Sequence, residues 1–222
     1  MTVIQMNKAI TLLSGGLDSL VSTGLYNDKI VLALTFDYGQ KSAKYEIDAS
    51  EKICKFYNIE HKIIKLDWLK EITNTALVSE DSLPEGINNP EESAKNVWVP
   101  NRNGLFLNIA GAFADSCGYD SIIIGANKEE AATFSDNTIQ FIERINSEFE
   151  FSTREKPKVI APLINCNKSD IVRLALENAI PLNLVMSCYA GGEKHCGICE
   201  SCTRLKNALL ANNDTHYIKE LF

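Results

Sequence analysis

Six consecutive residues near the N-terminus, Ser14-Gly15-Gly16-Leu17-Asp18-Ser19, have the composition of an anion-binding loop. They stand between an apolar run, Lys8 to Leu13, and a segment from Asp18 to Tyr26 with Leu20, Val21, Gly24 and Leu25 at helical spacing. The loop therefore joins a strand to a helix N-terminus, where free N–H groups and the helix dipole attract phosphate. Glycine lets the backbone approach the anion and take positive φ, and the Ser14 and Ser19 hydroxyls add donors on either side. No lysine lies in the loop, unlike the kinase-type phosphate loop. Asp18 would repel a bare polyphosphate, which implies Mg²⁺ between its carboxylate and the phosphate oxygens. That arrangement suits pyrophosphate held as a leaving group. The plainer alternative is a Ser-Gly-Gly turn with Asp18 capping the helix.

A second constellation lies near the C-terminus. Cys188, Cys196, Cys199 and Cys202 follow the spacing Cys-x7-Cys-x2-Cys-x2-Cys. The short steps let neighbouring thiolates reach one ion, and Gly191, Gly192 and Gly197 permit the turns a tetrahedral site demands. Four thiolates leave no open coordination position, so the site is expected to be structural, with Zn²⁺ as the default ion. Two alternatives are a redox pair at Cys199 and Cys202 and an iron–sulfur cluster on all four. His195 adjoins Cys196 but is expected to support the donors or lie at the surface.

The elements that must position these groups alternate. Ile30 to Phe36 is a continuous apolar run suited to a strand buried on both faces; Tyr45 to Tyr57 reads as a helix and Glu60 to Leu66 as a strand. Gly104 to Cys117 reads as a helix closed by Gly118, and Ser121 to Ile124 and Val159 to Ile164 as strands. Ser169 is expected to cap a helix running to Asn178, with Pro181 beyond it. Residues 74–96 have no clear period and read as a long loop or flap. The pattern predicts a doubly wound, mostly parallel α/β sheet. Residues 1–180 are expected to form the core, and residues 181–222 a small zinc-binding appendage packed on it.

Bulk properties narrow the classes. The 222 residues are 45% hydrophobic and 23% charged, as in ordinary globular proteins. A net charge of −7 disfavours a sequence-independent nucleic-acid binder and favours a small-molecule substrate. No secretory or membrane-spanning segment is evident, so a cytoplasmic location is expected, and the clustered cysteines read as metal ligands before disulfides.

The Ser14–Ser19 loop matches the SGGxDS signature of the N-type ATP pyrophosphatases, whose Rossmann-like fold is of the adenine nucleotide alpha hydrolase type. The resemblance implies ATP contacts at Leu13, Ser14, Gly15, Gly16, Leu17, Asp18 and Ser19, with the adenine near Phe36 and Asp37. Read together with Phe36-Asp37-Tyr38-Gly39-Gln40, Val99-Pro100-Asn101-Arg102-Asn103 and Ser187-Cys188-Tyr189, the chain from about residue 8 to residue 206 resembles the 7-cyano-7-deazaguanine synthase family. That resemblance implies that ATP adenylates a deazaguanine carboxylate, ammonia displaces AMP, and a second ATP activates the amide so that a nitrile forms.

Asp18, Ser19 and Arg102 would then be catalytic, and Arg102, Asn103, Glu130, Phe134 and Asp136 would bind substrate. Arg102 would meet a carboxylate or phosphate at a helix start, where Asn103 is alternatively a cap. Asp136 would accept from the guanine-like N–H groups. From Glu130 to Phe141 the chain departs from the commonest family pattern and resembles archaeal-type members, which points to archaeosine synthesis. A homodimer and ammonia from solution or a partner are implied. Two other readings keep part of the pattern: a tRNA-modifying sulfurtransferase or lysidine-type ligase, and a non-catalytic zinc-binding adaptor.

Overall fold

Parallel strands buried on both faces need apolar side chains in both directions; the central strands of this sheet have them, whereas its edge strand over Glu60–Lys65 is largely exposed. In the computed structural model, which describes residues 6–79, 83 and 95–222, five parallel strands lie in the order β3-β2-β1-β4-β5. The strands are β1 (Ala9–Leu12), β2 (Ile30–Asp37), β3 (Glu60–Lys65), β4 (Ser121–Ile123) and β5 (Lys158–Ile160). Between and after them run α1 (Leu17–Leu25), α2 (Ala43–Tyr57), α3 (Asp67–Glu71), α4 (Arg102–Cys117), α5 (Lys128–Ala131), α6 (Ile139–Ser152), α7 (Lys168–Glu177), α8 (Glu200–Ala211) and α9 (His216–Leu221).

The period-2 alternation of the strands sorts the core into two layers. Ala9, Ala33 and Ile123 face α1, α7 and α8, where they meet Leu20, Val21, Ile171, Leu205 and Leu209. Ile10, Leu32, Leu34 and Ile122 face the other way, against Leu107 and Ala110 of α4 and Ile142 and Phe149 of α6. Residues after 181 thus share the first layer with the sheet, through Leu182, Leu205, Leu209 and Leu221.

The chain passes from β1 to β2 on one side and later places β4 on the other. The crevice at the carboxyl ends of β1 and β4 is the topological switch point, where such sheets bind ligands.

Several expected boundaries move for local reasons. The strand expected over residues 159–164 ends at Ile160, because Pro162 has no N–H to offer a ladder and Ile164 turns back to the Ala161 carbonyl. Ser169 is not a cap: Asn167 and Asp170 form a reciprocal capping box, so α7 starts at Lys168. Asn103 is not a cap either, since Asn101, at φ 51°, precedes the first helical residue, Arg102. Asp18 lies in the first turn of α1 behind an extended Gly16 cap.

Helix α6 was not anticipated, although Ile142, Ile145 and Phe149 repeat at helical spacing and Thr138 caps it by accepting from the Phe141 N–H. Most of the loop expected over residues 74–96 lies outside the described residues. Its two described ends meet where the Ala76 N–H donates to the Asn96 carbonyl at 2.9 Å.

Candidate active site

The Ser14–Ser19 loop occupies the carboxyl end of β1 with little freedom. Gly15 has φ +75°, and a Cβ there would stand 2.8 Å from the Ala49 Cβ and 2.9 Å from the Glu46 carbonyl oxygen, so only glycine fits. Gly125, just beyond β4, packs so closely that a Cβ would meet the backbone of Asp18 and Ser19 at 2.9 Å.

Hydroxyl oxygens occupy three of the loop's backbone donors. The Ser14 N–H donates to Ser19 Oγ at 3.2 Å, the Gly16 N–H to Ser14 Oγ at 3.4 Å, and the Leu17 N–H to Ser187 Oγ at 3.2 Å. The Met186 N–H donates to the Gly15 carbonyl at 2.8 Å, so residues 186 and 187 clasp the loop from outside.

A cleft of roughly 280 Å³ opens beside this loop. Leu13, Ser14, Gly16, Leu17, Asp18 and Ser19 line it, as does Phe36, whereas Gly15 and Asp37 do not. Asp37 Oδ1 instead accepts from the Gly39 N–H at 3.1 Å. Arg102, Asn103, Glu130, Phe134 and Asp136 line the same cleft, so the fold brings most of the sequence-selected residues together.

At its floor lies an ion cluster. Lys168 Nζ donates to Asp18 Oδ2 at 2.5 Å and to Glu130 Oε1 at 2.8 Å, and the Lys168 side chain is only 13% exposed. The other oxygen, Asp18 Oδ1, is buried and without a hydrogen-bond partner. Burial pushes the Asp18 carboxyl up to about 6, against the pull of the Lys168 ammonium, and the Glu130 charge adds to the rise. Burial opposes the Lys168 charge, yet Asp18 and Glu130 together hold it above its ordinary value. Burial likewise opposes the Glu130 charge, but Lys168 outweighs it and the pKa falls.

Arg102, at the first position of α4, donates from Nη1 to the Tyr38 hydroxyl at 3.2 Å. Burial works against its charge, yet Tyr38, Asp136 and Tyr189 hold the guanidinium protonated. Asp136 is raised by burial, against the pull of Arg102. Asn103 Nδ2 donates to the Asp136 backbone carbonyl at 3.3 Å and so fixes that turn.

The four cysteines converge as their spacing implies. One Sγ from each of Cys188, Cys196, Cys199 and Cys202 lies within 4.8 Å of every other, and Cys196 and Cys202 Sγ are 3.8 Å apart. A tetrahedral site with metal–sulfur bonds of about 2.3 Å has edges of about 3.8 Å, so this donor set could hold one ion. His195 is outside the set and is not at the surface. It is buried, its Nε2 accepts from the Ser187 N–H at 3.0 Å, and Nδ1 faces the Leu221 carbonyl at 3.3 Å.

Residues 8–213 match the protein family described as Queuosine biosynthesis protein QueC. The chain belongs to the QueC family. A 7-cyano-7-deazaguanine synthase of Carboxydothermus hydrogenoformans is 50% identical over 211 residues, covering 91% of this chain and 98% of the relative. One of Methanosarcina mazei is 49% identical over 214 residues, covering 90% and 93% respectively. Among solved structures, NMN synthetase from Francisella tularensis matches 98% of this chain and 89% of its own, with 16% identity and a TM-score of 0.49.

Sequence reading of this QueC-family chain missed Lys168, the hub of the ion cluster. A signal was available: Asn167-Lys168-Ser169-Asp170 opens a helix after a strand, and a lysine at the first helical position stands against the helix dipole. Also missed was Arg204 of α8, which links Glu200 of its own helix at 2.6 Å to Glu129 of α5 at 3.2 Å. Among the described residues no helix is long and apolar enough to cross a membrane.

Proposed function

We propose that this cleft converts 7-carboxy-7-deazaguanine to 7-cyano-7-deazaguanine with two ATP molecules and one ammonia. The carrying observation is that a single cleft is lined both by the glycine loop with its partnerless Asp18 oxygen and by Arg102, whose hydrogen bond goes to a neutral hydroxyl. The first group suits a metal-bound nucleotide and the second an anion. Names of relatives at 49–50% identity support the same reading.

The residues divide the work by charge. Asp18, Glu130 and Lys168 sum to one negative charge, which favours Mg²⁺–ATP over bare ATP. Asp18 Oδ1 is a hard, buried oxygen that fits Mg²⁺, and the ion when bound would neutralise the pyrophosphate leaving group. The loop N–H groups of Ser14 and Gly16, now covered by the loop's own hydroxyl oxygens, are the donors that phosphate oxygens would engage.

Arg102 holds the substrate carboxylate against the α-phosphate, and Asp136 accepts from the ring N–H and exocyclic amine. Adenylation releases pyrophosphate, ammonia displaces AMP, and the amide oxygen is activated in turn so that its loss leaves the nitrile. Zn²⁺ fits the four thiols by donor type and spacing and would fix the segment that clasps the loop. The family resemblance also carries a homodimer, and a product that serves queuosine or archaeosine synthesis.

Incubation with 7-carboxy-7-deazaguanine, ATP, Mg²⁺ and ammonium, followed by mass analysis, tests the reading. A nitrile product with pyrophosphate and AMP is expected. Unchanged substrate from folded, metal-loaded protein overturns it, and pyrophosphate release only with tRNA would favour a tRNA-modifying relative instead.

A further inference from the structure

One large aromatic side chain on the cleft wall has no place in the core. Trp98 is 38% exposed and lines the cleft, yet it does not join the apolar layer beneath it. Its neighbours in sequence, Val97 and Val99, are buried and anchor the backbone on both sides, so the indole is held at the cleft just past the helical turn that ends at Val97. An exposed indole gives up a large share of the burial energy its surface offers, and it is retained most readily where something else covers it.

Phe134 stands beside it. The two rings are 6.2 Å apart between centroids and only 11° from parallel. The molecule's other stacked pair on this wall, Phe36 and Phe106, is in full contact at 3.9 Å and 5° and forms a closed surface. Trp98 and Phe134 are parallel without being closed on each other, so a flat ligand laid against one ring lies parallel to the other. Asp136 and Asn137 follow Phe134 by two and three residues and also line the cleft, which puts hydrogen-bonding groups at the edge of this aromatic surface.

Resting on the reaction proposed above, we infer that Trp98 and Phe134 form the stacking platform for the substrate's fused pyrrole–pyrimidine ring, with Asp136 reading its edge. Stacking contributes through the π-face of the heterocycle and is indifferent to the carboxylate that reacts. The platform therefore selects ring systems, while Arg102 selects the group to be activated. Adenine also has a π-face, so position assigns the platform to the substrate: the phosphates of ATP belong at the Ser14–Ser19 loop and its adenine, by the family resemblance, near Phe36.

The chain has two tryptophans, and the second, Trp68 on α3, is exposed and does not line the cleft, so a Trp68→Phe background isolates the fluorescence of Trp98. Titration of that protein with 7-deazaguanine, which carries no carboxylate to adenylate, is expected to quench Trp98 saturably, and titration with Mg²⁺–ATP is not. Trp98→Ala should raise KM for 7-carboxy-7-deazaguanine about tenfold with KM for ATP unchanged, and Trp98→Phe should recover most of the loss. Quenching by ATP alone, or a rise in KM for ATP in place of the substrate, overturns the platform. Saturable quenching by 7-deazaguanine in a protein that makes no nitrile sustains the platform and removes the reaction. Nitrile formation with no quenching and an unchanged substrate KM removes the platform alone.

Discussion

Two of the clusters of ionisable side chains among the described residues are built on opposite plans. The cysteine centre draws four soft donors from residues 188 to 202, and all four face one another. The Asp18–Lys168–Glu130 cluster draws hard donors from three elements, α1, α5 and α7, and leaves Asp18 Oδ1 without a partner beside a cleft. A donor set that closes on itself can hold an ion and little else, whereas one that leaves an oxygen unsatisfied carries a standing cost that a ligand can relieve. On the function proposed above, the first plan would build structure and the second chemistry.

The sharpest way to break that contrast is Asp18→Ala. Loss of the carboxylate should lower kcat/KM for ATP by about a thousandfold, the scale of removing a main transition-state charge partner. Lys168 keeps Glu130, so the variant should retain its circular-dichroism spectrum and its full metal content. A variant that unfolds or sheds metal would show that the two clusters are not separate in function.

A milder perturbation is proton uptake. Asp18 is an acid raised to about 6 by burial, and under the function proposed above its ionised form is the one that would serve Mg²⁺. Its charge is therefore complete above pH 6 and lost below, so kcat/KM for ATP should rise about tenfold per pH unit up to near 6 and level off above. Lys168 opposes the rise of Asp18, so Lys168→Met should move the limb to higher pH. A limb that stays in place would detach Lys168 from the carboxylate it touches.

Cys199→Ser should act on the other plan. Loss of one thiolate should empty the centre and lower Tm by on the order of 10 °C, read by calorimetry alongside metal analysis. Turnover of the protein that stays folded should fall far less than with Asp18→Ala. Full metal retention with an unchanged Tm would refute the structural role of the centre.

How much of this was legible in the sequence follows the same divide. The cysteines, the SGGxDS loop and the apolar strands are local patterns, and each reads from a window of a few residues. The fold class followed, because alternation of such runs leaves few topologies. Lys168 did not read, since its meaning is a contact with Asp18, 150 residues away, made by the packing of α7 beside α1. Ser169 was preferred as the α7 cap because serine is a common one, and the Asn167–Asp170 box that prevailed depends on which residue leaves the helix first. The distinction between Gly15 and Gly16 was likewise invisible: both permit a tight loop, but only Gly16 lines the cleft while Gly15 packs on α2.

The smallest effect tests whether the two plans are wholly independent, because one hydroxyl lies between them. Ser187 precedes Cys188, its backbone N–H is held by His195 Nε2, and its Oγ accepts from the Leu17 N–H of the Ser14–Ser19 loop. Having accepted, that hydroxyl still has its own proton to give, and Ser187 lines the cleft. A phosphate oxygen is the acceptor it suits. Ser187→Ala keeps the backbone bond to His195 and removes only the hydroxyl, so metal content and Tm should hold while KM for ATP rises about fivefold, the worth of one ordinary hydrogen bond. Ser187→Thr should restore it. A lowered KM would mean that the hydroxyl competes with phosphate for the Leu17 N–H, and the cysteine centre would then restrain the loop it borders instead of preparing it.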